Sequence, residues 1–302
     1  MTEATTAPAS PTRTPRPGPW AGGQADIEGH RGARGLVVEN TLPSMTAALD
    51  AGVTGIEIDV RMTADGQLVV WHDPILLPEK CRATQGDLIG ARVDELTLDQ
   101  LRTVDVGSQT LPEFATQRAA PGAHIATLAE VIGVGEHRSL KTWWTIEVKL
   151  DPTDERQVVR REQLVEATLA AVHEAGVARR CFMHSFDWAV LDLSRELDPG
   201  VLRSALTQAH HFSAGSPWTG SIDPVEHGED IIAGVAAIGA SVVSPHFALV
   251  DADLVRRAHA LDIGVLAWTV NEPDDLVRMV ELGVDGIVTD YPDRALELIA
   301  GG

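Results

Sequence analysis

Glu57 and Asp59 stand two residues apart in the run Ile56-Glu57-Ile58-Asp59-Val60. As a strand, that spacing puts both carboxylates on one face and the aliphatic side chains on the other. Two like charges about 4 Å apart repel by roughly 4 kcal/mol at an effective dielectric near 20. Either this is a solvated acidic strand edge or something positive sits between the pair. The alternation recurs in Thr145-Ile146-Glu147-Val148-Lys149, where Glu147 shares a face with Lys149. Glu57, Asp59 and Glu147 together would offer hard oxygen ligands suited to Ca²⁺ or Mg²⁺. The competing reading is a metal-free ion-pair network in which Arg31 and Lys149 neutralise the carboxylates. His30 precedes Arg31, and His72 precedes Asp73. Taken singly, either histidine fits a core or supporting role. As a pair flanking a metal, with an arginine and a lysine beside them, they read as base and acid around a phosphate ester.

These residues must be brought together by the elements that carry them. From Asp26 onward short apolar strands alternate with amphipathic helical stretches, the pattern of a parallel sheet with helices packed outside it. Strands are expected at 26–30, 55–60, 68–71, 142–149, 180–185, 201–207, 240–246, 264–270 and 286–290. The link between the second and third, 61–67, is too short for a parallel crossover and carries Asp65-Gly66, so it reads as an antiparallel hairpin. The third strand is then an excursion, which returns His72 to a place opposite Ile58 and Asp59. Eight strands remain, and the fold class is α/β, a (β/α)8 TIM barrel. Helices are expected at 42–51, 127–134, 161–175, 188–197, 225–238, 251–261, 273–282 and 292–299. Residues 73–122 break this rhythm and read as a cap inserted after strand 2, with one helix at 97–103. Such an insertion lies over the catalytic face, where the strand C-termini converge. The expected organisation is a disordered tail at 1–23 and one catalytic domain at 24–302.

Acidic residues outnumber basic ones by 44 to 24, a formal charge of −20, which argues against nucleic acid or an anionic membrane surface as partner. Cys81 and Cys181 cannot build a disulfide framework or a thiolate metal site and read as buried thiols. The N-terminal stretch, rich in Ala, Thr and Pro, has no apolar run of the secretory kind, and no stretch approaches the length of a membrane span. A cytoplasmic protein with no stable membrane insertion and a small-molecule partner is expected; oligomeric state is not legible.

Taken together, the chain resembles the glycerophosphodiester phosphodiesterases, whose barrel is related to the phosphatidylinositol-specific phospholipases C. The resemblance runs through His30-Arg31-Gly32, Glu39-Asn40-Thr41, Glu57-Ile58-Asp59-Val60, Asp65-Gly66 and His72-Asp73. It continues in Thr127-Leu128-Ala129-Glu130-Val131, Glu147-Val148-Lys149, Ser185-Phe186, Trp268-Thr269-Val270-Asn271 and Thr289-Asp290-Tyr291-Pro292. It implies metal-assisted hydrolysis of a glycerophosphodiester to sn-glycerol 3-phosphate and an alcohol, with one divalent ion on Glu57, Asp59 and Glu147. It makes His30 and His72 the acid–base pair, which we read as base and acid in that order, and Arg31 and Lys149 the phosphate-binding groups. It implies attack by the substrate's own glycerol hydroxyl, giving a cyclic phosphate that water opens. Trp268 then either packs on the glycerol moiety or belongs to the barrel-mouth core.

The resemblance departs at Ile125-Ala126-Thr127-Leu128, where the family commonly has proline, and the cap from Pro78 to Phe114 shows no substrate motif. His184, His210 and His211 match nothing in the family, and they and Trp143 and Trp144 read as packing residues. Two alternatives stand beside hydrolysis: a sphingomyelinase D-like lyase that stops at the cyclic phosphate, and a non-catalytic phosphodiester-binding barrel.

Overall fold

The computed structural model describes residues 16–20 and 25–300. Its strands, in chain order, are β1 (Asp26–His30), β2 (Gly55–Met62), β3 (Leu68–Val70), β4 (Arg82–Ala83), β5 (Val104–Asp105) and β6 (Trp143–Val148). They continue with β7 (Cys181–Ser185), β8 (Leu202–Thr207), β9 (Val242–Pro245), β10 (Gly264–Ala267) and β11 (Gly286–Thr289). The main sheet runs β1-β11-β10-β9-β8-β7-β6-β2-β3, and pairing of β1 with β2 closes it. With β3 set aside, eight parallel strands form a (β/α)8 barrel. β3 pairs antiparallel with β2, Val60 opposite Val70, and the Trp71 amide donates to the Asp59 carbonyl at 2.9 Å. That is the hairpin expected from Asp65-Gly66, and it carries His72 back alongside Asp59.

Helices Leu42–Ala51, Trp188–Leu197 and Pro273–Leu282 lie where the sequence puts them. The helix expected from residue 225 begins at Ile231 instead, because the Asp230 carboxylate accepts from the Ile232 and Ala233 amides and caps the first turn. The helix Leu128–Arg138 opens on a capping box between Thr127 and Glu130. The expected helix at 97–103 is a single turn, Leu98–Leu101, with its own capping box. It belongs to the insertion between β3 and Leu128, where β4 and β5 pair and Trp71, Leu76, Cys81, Val93, Leu101 and Ile125 form a small separate core.

The expectation of a disordered tail to residue 23 does not hold for 16–20; residues 1–15 and 21–23 lie outside the described residues. Trp20 is buried with Phe182, Val242, Leu266 and Val288 and stacks on Phe182 at 5.6 Å. A Cβ on Gly264, which opens β10, would sit 2.8 Å from the Trp20 ring. The indole therefore closes the floor of the barrel, at the strand N-termini. Burial of that aromatic surface offsets part of the entropy of holding the short segment. Arg16 is tied to Asp285 beside it. Among the described residues no helix is long and apolar enough to cross a membrane.

Candidate active site

Strand register assembles the chemistry before any loop is considered. His30 pairs with Glu57, Asp59 with Glu147, and Glu147 with His184, so successive strand ends deliver these groups at one level. Glu57, Asp59 and Glu147 are all buried, and one carboxylate oxygen from each lies within 4.8 Å of the others. Burial first, and then the charges of Asp59 and Glu147, push Glu57 well above the ordinary carboxylate value. Asp59 goes the other way: burial opposes ionisation, but Arg31, His72, Lys149 and His30 together hold it far below.

Arg31 and Lys149 do engage these carboxylates. Arg31 Nε lies 3.2 Å from Asp59, and Lys149 Nζ lies 2.7 Å from Glu147 and 3.7 Å from Asp59. They do not complete the balance, because Arg31 is shared with Glu39, which accepts from Nη1 at 2.9 Å. Glu57 Oε2 accepts only a weak bond from the Arg31 amide at 3.2 Å, with His30 Nε2 at 3.8 Å. Asp59 Oδ1 is buried with no hydrogen-bond partner among the described residues, Lys149 Nζ standing off at 3.7 Å. An all-oxygen donor set of this compactness, with an orphaned carboxylate oxygen, fits a hard divalent cation.

Arg31 is reached at a backbone cost. Its φ is 52° and that of Gly32 is 89°, so the chain leaves β1 through two left-handed residues. At Gly32 a Cβ would lie 2.6 Å from Ser44 Oγ, which leaves glycine the fitting residue. Asn40, also at positive φ, donates from Nδ2 to Asp59 at 3.2 Å. Glu39 is gripped by Arg31, Arg34 and Lys80, which overcome burial and bring it down to about 2.

Each histidine rests on its own carboxylate. His30 Nδ1 is 2.6 Å from Asp290, and Asp290 in turn accepts from Asn271 Nδ2 at 2.8 Å. His72 Nδ1 is 3.0 Å from Asp73. Both imidazoles thereby keep Nε2 for another partner. Against burial, His30 and Arg34 hold Asp290 below the ordinary value, and His72 and Lys80 do the same for Asp73. Burial lowers His72 despite the pull of Asp59. Arg61 donates from Nε and Nη2 to the His72 carbonyl at 2.9 and 2.6 Å, fixing the backbone of the hairpin's end.

Seven of the eight residues singled out by sequence thus converge. Trp268 does not join them: it donates from Nε1 to the Ser244 carbonyl at 2.9 Å and belongs to an aromatic wall on the strand ends that follow β6. Phe186 lies 5.3 Å from Trp268, 5.2 Å from His211 and 6.3 Å from Trp218, all edge-on. His211 stacks flat on Trp218 at 4.6 Å, and His246 meets Trp268 edge-on at 5.3 Å. Lys149 Nζ, 6.0 Å from the Phe186 ring, links wall and charges. His184 is buried, bonded to Ser204 Oγ at 2.8 Å and lowered by burial to about 3, a neutral packing residue.

Sequence reasoning assigned no role to Asp290, Asn271, Asp73, Glu39 or Lys80. The first four stand in motifs that carried the resemblance, with Asp290 at the end of the strand that closes on β1. Lys80 gives no signal, since its partners are remote in sequence or uninformative alone.

Residues 30–294 match the model of the glycerophosphoryl diester phosphodiesterase family. A solved structure from Silicibacter pomeroyi, provisionally assigned as a glycerophosphoryl diester phosphodiesterase, is 35% identical, with 92% of this chain and 94% of that one covered and a TM-score of 0.82. A glycerophosphodiester phosphodiesterase of Caldanaerobacter subterraneus is 28% identical over 90% of this chain and 97% of its own. An Oleispira antarctica phosphodiesterase solved with the product sn-glycerol-3-phosphate shares the fold at 23% identity and a TM-score of 0.70, covering 92% of this chain and 97% of its own.

Proposed function

This chain belongs to the glycerophosphoryl diester phosphodiesterase family, and on that premise we propose that its barrel mouth hydrolyses glycerophosphodiesters to sn-glycerol 3-phosphate and an alcohol. The observation that supports the reading is that two histidine–carboxylate pairs, His30–Asp290 and His72–Asp73, occur on strand ends that also carry the compact triad Glu57, Asp59 and Glu147. The triad would hold one divalent ion, Ca²⁺ or Mg²⁺, which when bound supplies positive charge against the phosphate oxygens.

Arg31 and Lys149 bind the same oxygens and stabilise the charge that grows on them in the transition state. Both sit beside the triad, paired to its carboxylates, where a phosphate at the triad would come within their reach. His30, its Nδ1 fixed by Asp290, takes the proton of the substrate's glycerol 2-hydroxyl as that oxygen attacks phosphorus. The bond from phosphorus to the alcohol oxygen breaks, and His72 gives that oxygen a proton. The five-membered cyclic phosphate is then opened by water, with His72 taking the water proton and His30 returning one to the glycerol oxygen. The insertion between β3 and Leu128 acts as a cap beside this site. Trp268 and its aromatic neighbours offer an apolar surface to the substrate's substituents. Two buried free thiols suit a reducing, cytoplasmic setting.

The test is a panel of glycerophosphodiesters releasing choline, ethanolamine, glycerol or inositol, with coupled detection of sn-glycerol 3-phosphate, each with and without chelator. Release of glycerol 3-phosphate that chelation abolishes and Ca²⁺ or Mg²⁺ restores is expected. Activity surviving thorough chelation would contradict the triad's role, and a cyclic phosphate as the end product in phosphorus NMR would make the protein a lyase.

A further inference from the structure

We propose that Lys80, on the inserted cap, is a positioning residue for the general acid: it orients Asp73, and through it the His72 ring, so that cap docking completes the acid half of the site. The inference rests on the assignment of His72 as acid made above. Asp73 divides its two oxygens, Oδ1 lying 3.0 Å from His72 Nδ1 and Oδ2 accepting from Lys80 Nζ at 2.7 Å. A carboxylate held at both ends cannot rotate, and the ring it touches keeps one orientation. The ammonium also donates to Glu39 Oε1 at 3.0 Å, the same oxygen that accepts from Arg31 at 2.9 Å. One cap side chain is thereby joined to the support of both the acid and the phosphate-binding arginine.

Lys80 is placed to do this by the cap's own construction. The Lys80 and Cys81 amides both donate to the Leu77 carbonyl, making a tight turn, and Gln109 donates to the Pro78 and Cys81 carbonyls at 3.0 Å. Cys81 and Leu76 are buried in the cap core on either side of that turn. The Lys80 side chain is 12% exposed, and its two partners come from different loops, one following β1 and one following β3. A lysine serving only solubility would not be buried between two carboxylates of the site.

Leaving-group chemistry tests this. An alkyl alcohol needs a proton as it departs, whereas p-nitrophenoxide does not. In the metal-loaded enzyme, Lys80→Met should lower the single-turnover rate of alcohol release from glycerophosphocholine, which precedes opening of the cyclic phosphate, about ten- to a hundredfold, the range seen when a supporting partner is removed. It should leave KM little changed and the rate on glycerophospho-p-nitrophenol nearly intact, and Lys80→Arg should restore part of the lost rate. Circular dichroism and a thermal melt establish that each variant is folded; should Lys80→Met not fold, the same comparison is read on Lys80→Arg and Lys80→Gln. Equal loss on both substrates, or no loss on either, would overturn the role. His72→Ala, run in parallel, separates the two levels: if it discriminates between the substrates and the Lys80 variants do not, only this inference fails. If His72→Ala does not discriminate, the acid assignment fails and takes the inference with it.

Discussion

The mouth of the barrel has two unlike halves. On the ends of β1, β2, β3 and β6, with β11 and the cap closing in, charge meets charge: Arg31 spans Glu39 and Asp59, Lys149 spans Glu147 and Asp59, and Lys80 spans Glu39 and Asp73. On the ends of β7 through β10, ring meets ring, and burial lowers both His211 and His246 so that the wall is uncharged. The ionic half gains its geometry from directional contacts that fail when one member is lost, because a buried charge left unpaired is costly. The aromatic half rests on area and shape, which tolerate a change of one ring more gently. On the function proposed, bond breaking belongs to the first half and accommodation of the substituent to the second.

This contrast can be broken by substitution. His30→Ala and His72→Ala should each lower kcat by about 10²–10⁴-fold while divalent-ion affinity, read by calorimetry, stays near that of the parent; an unchanged rate would remove either histidine from the chemistry. Asp59→Asn should lose the ion and with it most turnover, and excess Ca²⁺ or Mg²⁺ should not restore the parent rate. In the aromatic half, Trp218→Ala or Trp268→Ala should raise KM about two- to tenfold, in line with roughly 0.5–1.5 kcal/mol for an aromatic contact, and leave kcat close to the parent's. A kcat collapse at Trp268 would erase the division between the halves.

The smallest effect on activity is expected beneath the ionic half. Glu28 is fully buried with neither carboxyl oxygen in good hydrogen-bond geometry among the described residues, the Thr145 hydroxyl being the group that favours its charged form, whereas Leu266 and Val242 belong to an apolar cluster. Burial, reinforced by Asp26, raises Glu28 to about 8, and burial raises Asp26 to about 7. A raised folded-state value means the folded protein keeps a proton that the unfolded chain releases above its ordinary carboxylate pKa. The contribution of Glu28 to stability should therefore decline as pH climbs from about 4.5 to about 8 and level off beyond, against the opposite slope of the buried neutral His184. Glu28→Gln should flatten that slope and melt higher than the parent at pH 8, with kcat nearly unchanged. A steeper slope in the variant would mean the carboxyl is ionised and paired in the fold.

Much of this was legible in the residue order because the barrel is written in local patterns. Strict alternation placed Glu57 with Asp59 and Glu147 with Lys149, and one Asp-Gly turn returned His72 to them. The helix expected from residue 225 starts at Ile231 because the run 226–230 is polar, contains a glycine and ends on the Asp230 cap, a stop that a single apolar residue at 225 does not override. Trp20 stands in a proline- and glycine-rich stretch that reads locally as tail; its burial depends on Phe182, 162 positions away in sequence, and on Gly264 making room.

What the sequence determined by itself is the set of elements and the face on which each reactive group stands, since a period of two or 3.6 is a property of neighbouring residues. What only the tertiary structure decided is the pairing across elements: Asp290 with His30, Lys80 with Asp73 and Glu39, and the wall that draws Phe186, Trp218 and Trp268 together. Those contacts depend on barrel closure and on how an insertion folds back, and no local period encodes either.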